Sequence, residues 1–391
     1  MTVIAWWVLA AALAGALYPY LFYPVLLQLV GLLKKARPAL AEPPEWPRIS
    51  ITIPAYNEEA VIARTLDRIL ETDYPAERRQ VLVVSDCSSD RTDEIVRGYA
   101  GRGVELLRMP QRTGKTGAEN AAQPLLHGDI VMNTDASVQL HPDALRHLAA
   151  AFTDPTVGLA SSRDVSVASV GDSANVGEGE YVGYEMWVRR LETRVYGIVG
   201  ASGSLYAIRA SLHRTLVPEA LSRDFAAALN ARELGLRAVS IDQAICFVPR
   251  GASLHKEYRR KVRTMARGLE TLWYKKHLLD PFRFGVFAWM LWSHKLMRWL
   301  VPWALAVGGL AVAVAAIESG VARVLFATGL VVLGLAAVGW MLPEDRGLPR
   351  LVAIPAYIVS SLMAGLHAWI KALSGELNPL WEPTRRAPKV S

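Results

Sequence analysis

Cysteine is nearly absent: Cys87 and Cys246 are the only two in 391 residues, which excludes a disulfide framework. Neither stands near a histidine pair at metal-ligating spacing, so a structural zinc site is excluded too. The chain has no internal repeat and no low-complexity tract. Charge is also scarce. With 20% charged and 52% hydrophobic residues, the chain is too apolar for an ordinary soluble enzyme. Residues 1–33 carry no charged side chain at all. A cleaved signal peptide would show a basic start, a shorter apolar run and a small-residue cleavage site, and this start shows neither the basic residue nor the short run.

What is present is lipid-compatible length. Val3 to Leu33 is long enough to cross a hydrocarbon core of about 30 Å, and KKAR follows at Lys34 to Arg37. Further apolar segments run from Trp299 to Ile317, Val321 to Leu342 and Leu351 to Ile370. The positive-inside rule then puts the N-terminus outside and the following domain in the cytosol, in a multi-pass protein of the inner or plasma membrane. The C-terminus carries a conflict. Four spans would leave it outside, whereas Lys371, Arg385, Arg386 and Lys389 favour the cytosol. One resolution is that Phe284 to Trp292 dips into the bilayer or spans it. Between His255 and Trp299, cations alternate with Trp, Tyr, Phe and Leu at helical spacing, which suits an interfacial helix against membrane lipids rather than a nucleic acid. The expected organisation is an anchor over 1–36, a Pro-rich linker over 37–47, a cytosolic domain over 48–252, interfacial helices over 253–298, membrane helices over 299–371 and a basic tail over 372–391.

The chemistry concentrates between Arg48 and Asp90. ISITIP ends on the polar turn AYNEE, a helical pattern follows, and VLVVS ends on Asp86. This is a βαβ unit, and open parallel sheets bind ligands beyond the carboxyl ends of their strands, where Glu58, Asp86 and Asp90 fall. A bare helix start at DCSSDRTDE would also account for the acids. GKT at Gly114 to Thr116 looks like the end of a phosphate-binding loop, but Met109 stands where that motif needs glycine.

PAYNEE and SDCSSDRTDEIV resemble glycosyltransferase family 2, in the manner of its membrane-bound polysaccharide synthases, and the resemblance runs from about Ile49 to Gly268. It implies an α/β fold of GT-A type, a Rossmann-like nucleotide-sugar domain joined to transmembrane helices, and an inverting transfer. Pro54, Tyr56, Glu58 and Asp86 would then surround the base and ribose, and Lys115 would reach the diphosphate. Asp135 begins the triplet that in the family holds a divalent ion, Mg²⁺ or Mn²⁺, although Ser137 replaces its second carboxylate. Asp224 matches the second member of the acidic pair that supplies the general base, with Arg223 in the first place; N-capping of a helix is its other account. Arg260 and Arg263 resemble the motif that contacts diphosphate, with Thr264 where the family has tryptophan. Ser202 departs from the family's GADG. The stretch around Tyr181, Tyr184 and Trp187 matches the acceptor region, or equally a packed helix.

The expected function is transfer of a sugar from a nucleotide sugar, a UDP-sugar by expectation, to a growing surface polysaccharide or a lipid-linked glycan at the cytosolic membrane face. Export or regulatory subunits would be partners. The departures at Ser137 and Arg223 leave a second reading open, an inactive nucleotide-sugar-binding subunit that regulates a synthase.

Overall fold

Two apolar periods alternate along the chain, and each forms the element its spacing dictates. The computed structural model describes residues 2–34, 41–167, 176–249, 253–342 and 349–376; linker residues 37–40 and tail residues 377–391 lie outside them. Helices α1 (Thr2–Leu17) and α2 (Tyr23–Leu32) are joined by a π-helical turn at Tyr18–Phe22. The domain then alternates β1 (Ile49–Ala55), α3 (Ile62–Leu70), β2 (Arg79–Ser85), α4 (Thr92–Arg97), β3 (Val104–Arg108), α5 (Gly114–Ala122) and β4 (Ile130–Thr134). After it come β5 (Gln139–Leu140), α6 (Ala144–Ala150), β6 (Val157–Val167), α7 (Val176–Val195), β7 (Leu205–Arg209), α8 (Ala210–His213), α9 (Arg223–Glu233) and β8 (Arg237–Pro249). The chain continues through α10 (Leu254–Tyr274), α11 (Pro281–Phe284), α12 (Val286–Leu291), α13 (Met297–Ala315), α14 (Gly320–Met341) and α15 (Arg350–Ser374).

The eight strands form one sheet in the order β3-β2-β1-β4-β7-β6-β8-β5. The run β3-β2-β1-β4 is parallel, and β7 lies antiparallel to both β4 and β6. Strand β1 is buried along its whole length, Ser50 and Thr52 included, as befits a strand covered on both faces. Ile51, Ile53, Leu66, Val83, Met132 and Leu145 are among the side chains that make its core.

Among the described residues, four helical stretches are long and apolar enough to cross a membrane: Val3–Leu32, Val286–Ala315, Gly320–Met341 and Arg350–Ser374. The second begins earlier than the apolar run at Trp299, because α12, a π-helical turn at Trp292–Leu296 and α13 form one continuous stretch. α1 packs along α13, with Ala5 near Ala315 and Ala12 against Gly308. The N-terminal stretch is more than a tether. Tyr23 and Leu27 of α2 are fully buried with Val188 and Val195 of α7 and with Phe287 and Met290 of α12.

Candidate active site

Strand ends place the site, because the backbone must leave the sheet there and its side chains have no neighbour strand to pack on. β1 ends before Tyr56 to Glu58, β2 before Asp86, and β4 before Asp135; β7, running the other way, starts at that same edge just after Gly203 and Ser204. Asn57 and Cys87 adopt φ of 53° and 61°, the left-handed conformation that reverses the chain after β1 and β2. The two turns are tied together. Asn57 accepts from the Ser89 N–H at 2.8 Å, Thr92 Oγ1 accepts from the Glu58 N–H at 2.8 Å, and Asp90 accepts from the Glu59 N–H at 3.1 Å. Partial burial works against ionisation of Asp90, but hydrogen bonds from Thr92 and the Glu59 backbone hold its carboxyl below the usual range.

Asp86 is 2% exposed, and its two oxygens accept from the N–H groups of Thr113 and Gly114 at 2.8 and 2.9 Å. Those are the first amides of α5, so Asp86 fixes the helix start immediately before Lys115. Pro54 is buried within β1, and Tyr56 carries the Arg112 guanidinium over its ring at 3.6 Å.

Lys115 donates to Asp135 Oδ1 at 2.5 Å and to the Gly203 carbonyl at 2.9 Å. Burial opposes its charge, yet Asp135, Glu119 and Asp224 together raise its pKa, so it is protonated at any physiological pH. A Cβ on Gly203 would lie 3.0 Å from Asp224 Oδ2 and 3.6 Å from Lys115 Nζ. Lys115, Asp135 and Asp224 therefore surround one glycine, on a loop that needs that glycine for close approach. The loop is pinned from behind: Asp164 of β6 accepts from Ser202 at 2.5 Å and from Ser204 at 3.1 Å. Ser202, a departure from the family pattern, is thus an anchor of the loop.

Asp224 sits in the first turn of α9, whose N-cap is Ser222, so capping does not account for it. The Ser222 hydroxyl donates to Asp224 Oδ1 at 2.5 Å, leaving Oδ2 toward Gly203. Arg223 turns away into the protein, where it lies 3.4 Å from Glu119, donates to Asn120 and donates to the His213 carbonyl at 3.1 Å. Its charge is answered by Glu119, a fully buried carboxylate on α5. Burial pushes Glu119 up, and Lys115 and Arg223 only partly offset this. Sequence reasoning missed Glu119, although it stands four residues after Lys115, one turn along the same helix face.

The expected arginines on α10 divide differently. Arg260 makes a two-pronged pair with Glu257 of its own helix at 2.8 and 2.7 Å, and Arg263 lies on the same helix beside exposed Thr264. Arg267, one turn further, reaches the site by donating to Thr116 Oγ1 at 2.8 Å and to the carbonyls of Glu219 and Leu221. Burial lowers its pKa, and nearby Asp224 and Glu119 counter that. Beside it, a Cβ on Gly268 would lie 2.8 Å from the Trp299 ring, which also meets Phe225 edge-on at 6.1 Å. A tryptophan from α13 therefore lies where α10 has none.

Tyr184 and Trp187 pack in the cluster built by α2, α7 and α12. Next to them a buried charge network joins domain to membrane helix: Glu185 pairs with Arg298 at 2.5 Å and His294 at 2.9 Å, and Glu192 with His294 at 2.6 Å and the Tyr23 hydroxyl at 2.6 Å. Burial disfavours the Glu185 charge, but His294 and Arg298 overcome it and hold the carboxyl well below the usual range.

Among the described residues, no group of three His, Cys, Asp or Glu side chains gathers at metal-binding distance. Asp135 alone fits a divalent ion only in the form hard cations accept, one carboxylate completed by substrate phosphate oxygens and water. 

A mixed sheet with polar groups at the carboxyl ends of its parallel half, closed by a partly buried lysine between carboxylates, is a GT-A-type nucleotide-sugar fold, here borne on helices of membrane-spanning length. Residues 50–213 match the model of glycosyl transferase family 2. The mannosyltransferase PcManGT from Pyrobaculum calidifontis, solved in complex with GDP-Man and Mn²⁺, superposes with a TM-score of 0.72 at 25% identity, over 94% of this chain and 99% of that one. A beta-monoglucosyldiacylglycerol synthase of Trichormus variabilis is 29% identical over 168 residues, 42% of this chain and 36% of the relative. An N-acetylglucosaminyltransferase of Rhizobium meliloti is 34% identical over 125 residues, 30% of this chain and 29% of the relative. The chain thus spans about a third of the length of these curated relatives.

Proposed function

We propose that the protein is an inverting glycosyltransferase that moves a sugar from a nucleoside-diphosphate sugar to a lipid-borne acceptor at the cytosolic face of the cell membrane. The observation that carries this reading is the set of Lys115, Asp135 and Asp224 around Gly203. Inverting transfer needs a cation where the diphosphate leaves and a carboxylate where the acceptor hydroxyl loses its proton. Lys115 supplies the first and Asp224 Oδ2 the second, while Asp86 holds α5 so that the lysine is delivered. Pro54, Tyr56 and Glu58 would frame the nucleotide base and ribose, and Arg267, rather than Arg260, has the placement to support the phosphates.

Asp135 would hold Mg²⁺ or Mn²⁺ together with donor phosphate oxygens, and the ion would neutralise charge growing on the leaving diphosphate. The Mn²⁺ bound by the mannosyltransferase supports this, as its GDP-Man supports a nucleotide-sugar donor. A lipid acceptor is supported by the glycolipid synthase among the relatives and by the membrane helices packed on the domain. An inactive regulatory subunit is the poorer account, because Arg223 is neutralised by Glu119 and leaves Asp224 in place.

The test is to incubate detergent-solubilised protein with labelled GDP-mannose and a panel of UDP-sugars, with and without Mn²⁺, and with membrane lipid extract as acceptor. Label moving into the lipid fraction with one donor, and loss of that transfer in Asp135→Ala, supports the reading. Nucleotide-sugar binding without transfer or donor hydrolysis under any condition refutes it in favour of the regulatory subunit.

A further inference from the structure

We propose that α15, although long and apolar enough to cross a membrane, lies in the plane of the leaflet beside the catalytic domain and uses its apolar face to bind that leaflet. The inference rests on the reading that α13 and α14 cross. These two helices meet at one end only, where Ala315 and Ala322 share a buried cluster with Ala5. From there Pro302 of α13 lies about 20 Å back along its axis and Gly339 of α14 about 26 Å, at 1.5 Å per residue, so both belong to the opposite side of the bilayer.

α15 touches both of these same-side points. Near its start, a Cβ on Gly339 would lie 2.7 Å from Ala356 and 3.0 Å from Val352. Near its end, a Cβ on Gly365 would lie 2.6 Å from Pro302, and the Trp369 indole donates to the Trp299 carbonyl at 2.8 Å. A crossing helix would carry Trp369 roughly 28 Å away from Arg350, to the level of Ala315 and Gly320. Instead it ends beside the first turn of α13. Between the two points it lies against α10, with Lys261 donating to Ser361 at 2.6 Å and Tyr258 sharing a hydrogen bond with His367 at 3.1 Å.

The surfaces agree. Ala353, Ala356, Ala364, Gly365 and Ala368 are buried against the protein, while Leu351, Ile354, Ile358, Ile370 and Leu373 form an exposed stripe at helical spacing. The small residues of one face pack on the protein, which leaves the large apolar side chains of the other to meet lipid along the length of the helix. α14 stands apart from its neighbours from residue 323 to 334, so α15 closes the base of a wedge whose apex is the Ala315–Ala322 contact. An in-plane α15 also puts Lys371 on the same side as the domain, where the positive-inside rule favours it.

Single cysteines test this in sealed, uniformly oriented vesicles, in a Cys87→Ser, Cys246→Ser chain with the reactivity of each thiol established after detergent addition. Glu77→Cys reports the catalytic domain, Glu318→Cys the turn between α13 and α14, and Ser374→Cys the end of α15. Ser374→Cys should react with an impermeant maleimide from the same side as Glu77→Cys and the opposite side from Glu318→Cys. Labelling of Ser374→Cys together with Glu318→Cys overturns the in-plane helix while leaving the catalytic assignment intact. Labelling of Glu77→Cys and Glu318→Cys from one side overturns the crossing of α13 and α14, and the proposal with it.

Discussion

A base is needed only while the acceptor hydroxyl is losing its proton, so its removal should act on turnover and leave ground-state binding alone. Asp224→Asn keeps the hydrogen bond from Ser222 and the shape beside Gly203. Transfer should fall by about 10²-fold or more while nucleotide affinity stays within a few-fold, read as kcat against titration calorimetry with the nucleoside diphosphate. A second residue-scale effect concerns pH. His213 is 4% exposed beside Arg223, and burial, helped by that cation, drops its pKa to about 3. A depressed pKa means stability that is present above the ordinary value near 6.5 and is lost as pH falls toward the folded value. The protein should therefore lose about 1.4 kcal/mol per pH unit below 6.5. Thermal melts of His213→Gln between pH 6.5 and 5 should be flatter than those of the wild type; equal slopes would show that His213 is not the group responsible.

At the scale of elements, the contact between α7 and the helix that becomes α13 is held by charge in a place with little water. Glu185 answers Arg298, His294 and Arg189 together. Removing one partner of a buried ionic group leaves the others unanswered, which costs about 3–5 kcal/mol. Glu185→Ala should lower the melting temperature in detergent by more than Glu180→Ala, a change one turn away that leaves these pairs intact. The same packing carries a functional consequence. Trp299 touches Gly268 beside Arg267 and meets Phe225 beside Asp224, so a shift of α13 is felt at both sides of the site.

Across the whole molecule, the N-terminal stretch belongs to the fold as well as to the membrane. Tyr23 and Leu27 are fully buried, and the Tyr23 hydroxyl satisfies Glu192. Deleting residues 1–32 should not simply release a soluble domain. It exposes Val188, Val195 and Phe287 and strips Glu192 of a partner, so the shortened chain should aggregate or melt well below the full one. Recovery of a monomeric shortened chain with unchanged melting would show that the helix is only an anchor.

The sequence by itself determined the sheet's parallel half, the membrane-length helices and the positions of Asp86 and Asp135, because each is written in local period or in a turn at a strand end, whereas Lys115 and Asp224 were singled out by the family resemblance. Periodicity places a residue on an element, and an element's end places it at the site's edge. It does not say which side chains meet across elements. Glu119 facing Arg223, Arg267 reaching Thr116 and Trp299 covering Gly268 were decided only by how α5, α9, α10 and α13 pack. The direction of α15 was decided the same way. Hydropathy measures whether a helix tolerates lipid, and a helix lying in the leaflet meets the same lipid as one crossing it; only its contacts at Gly339 and Trp299 distinguish the two.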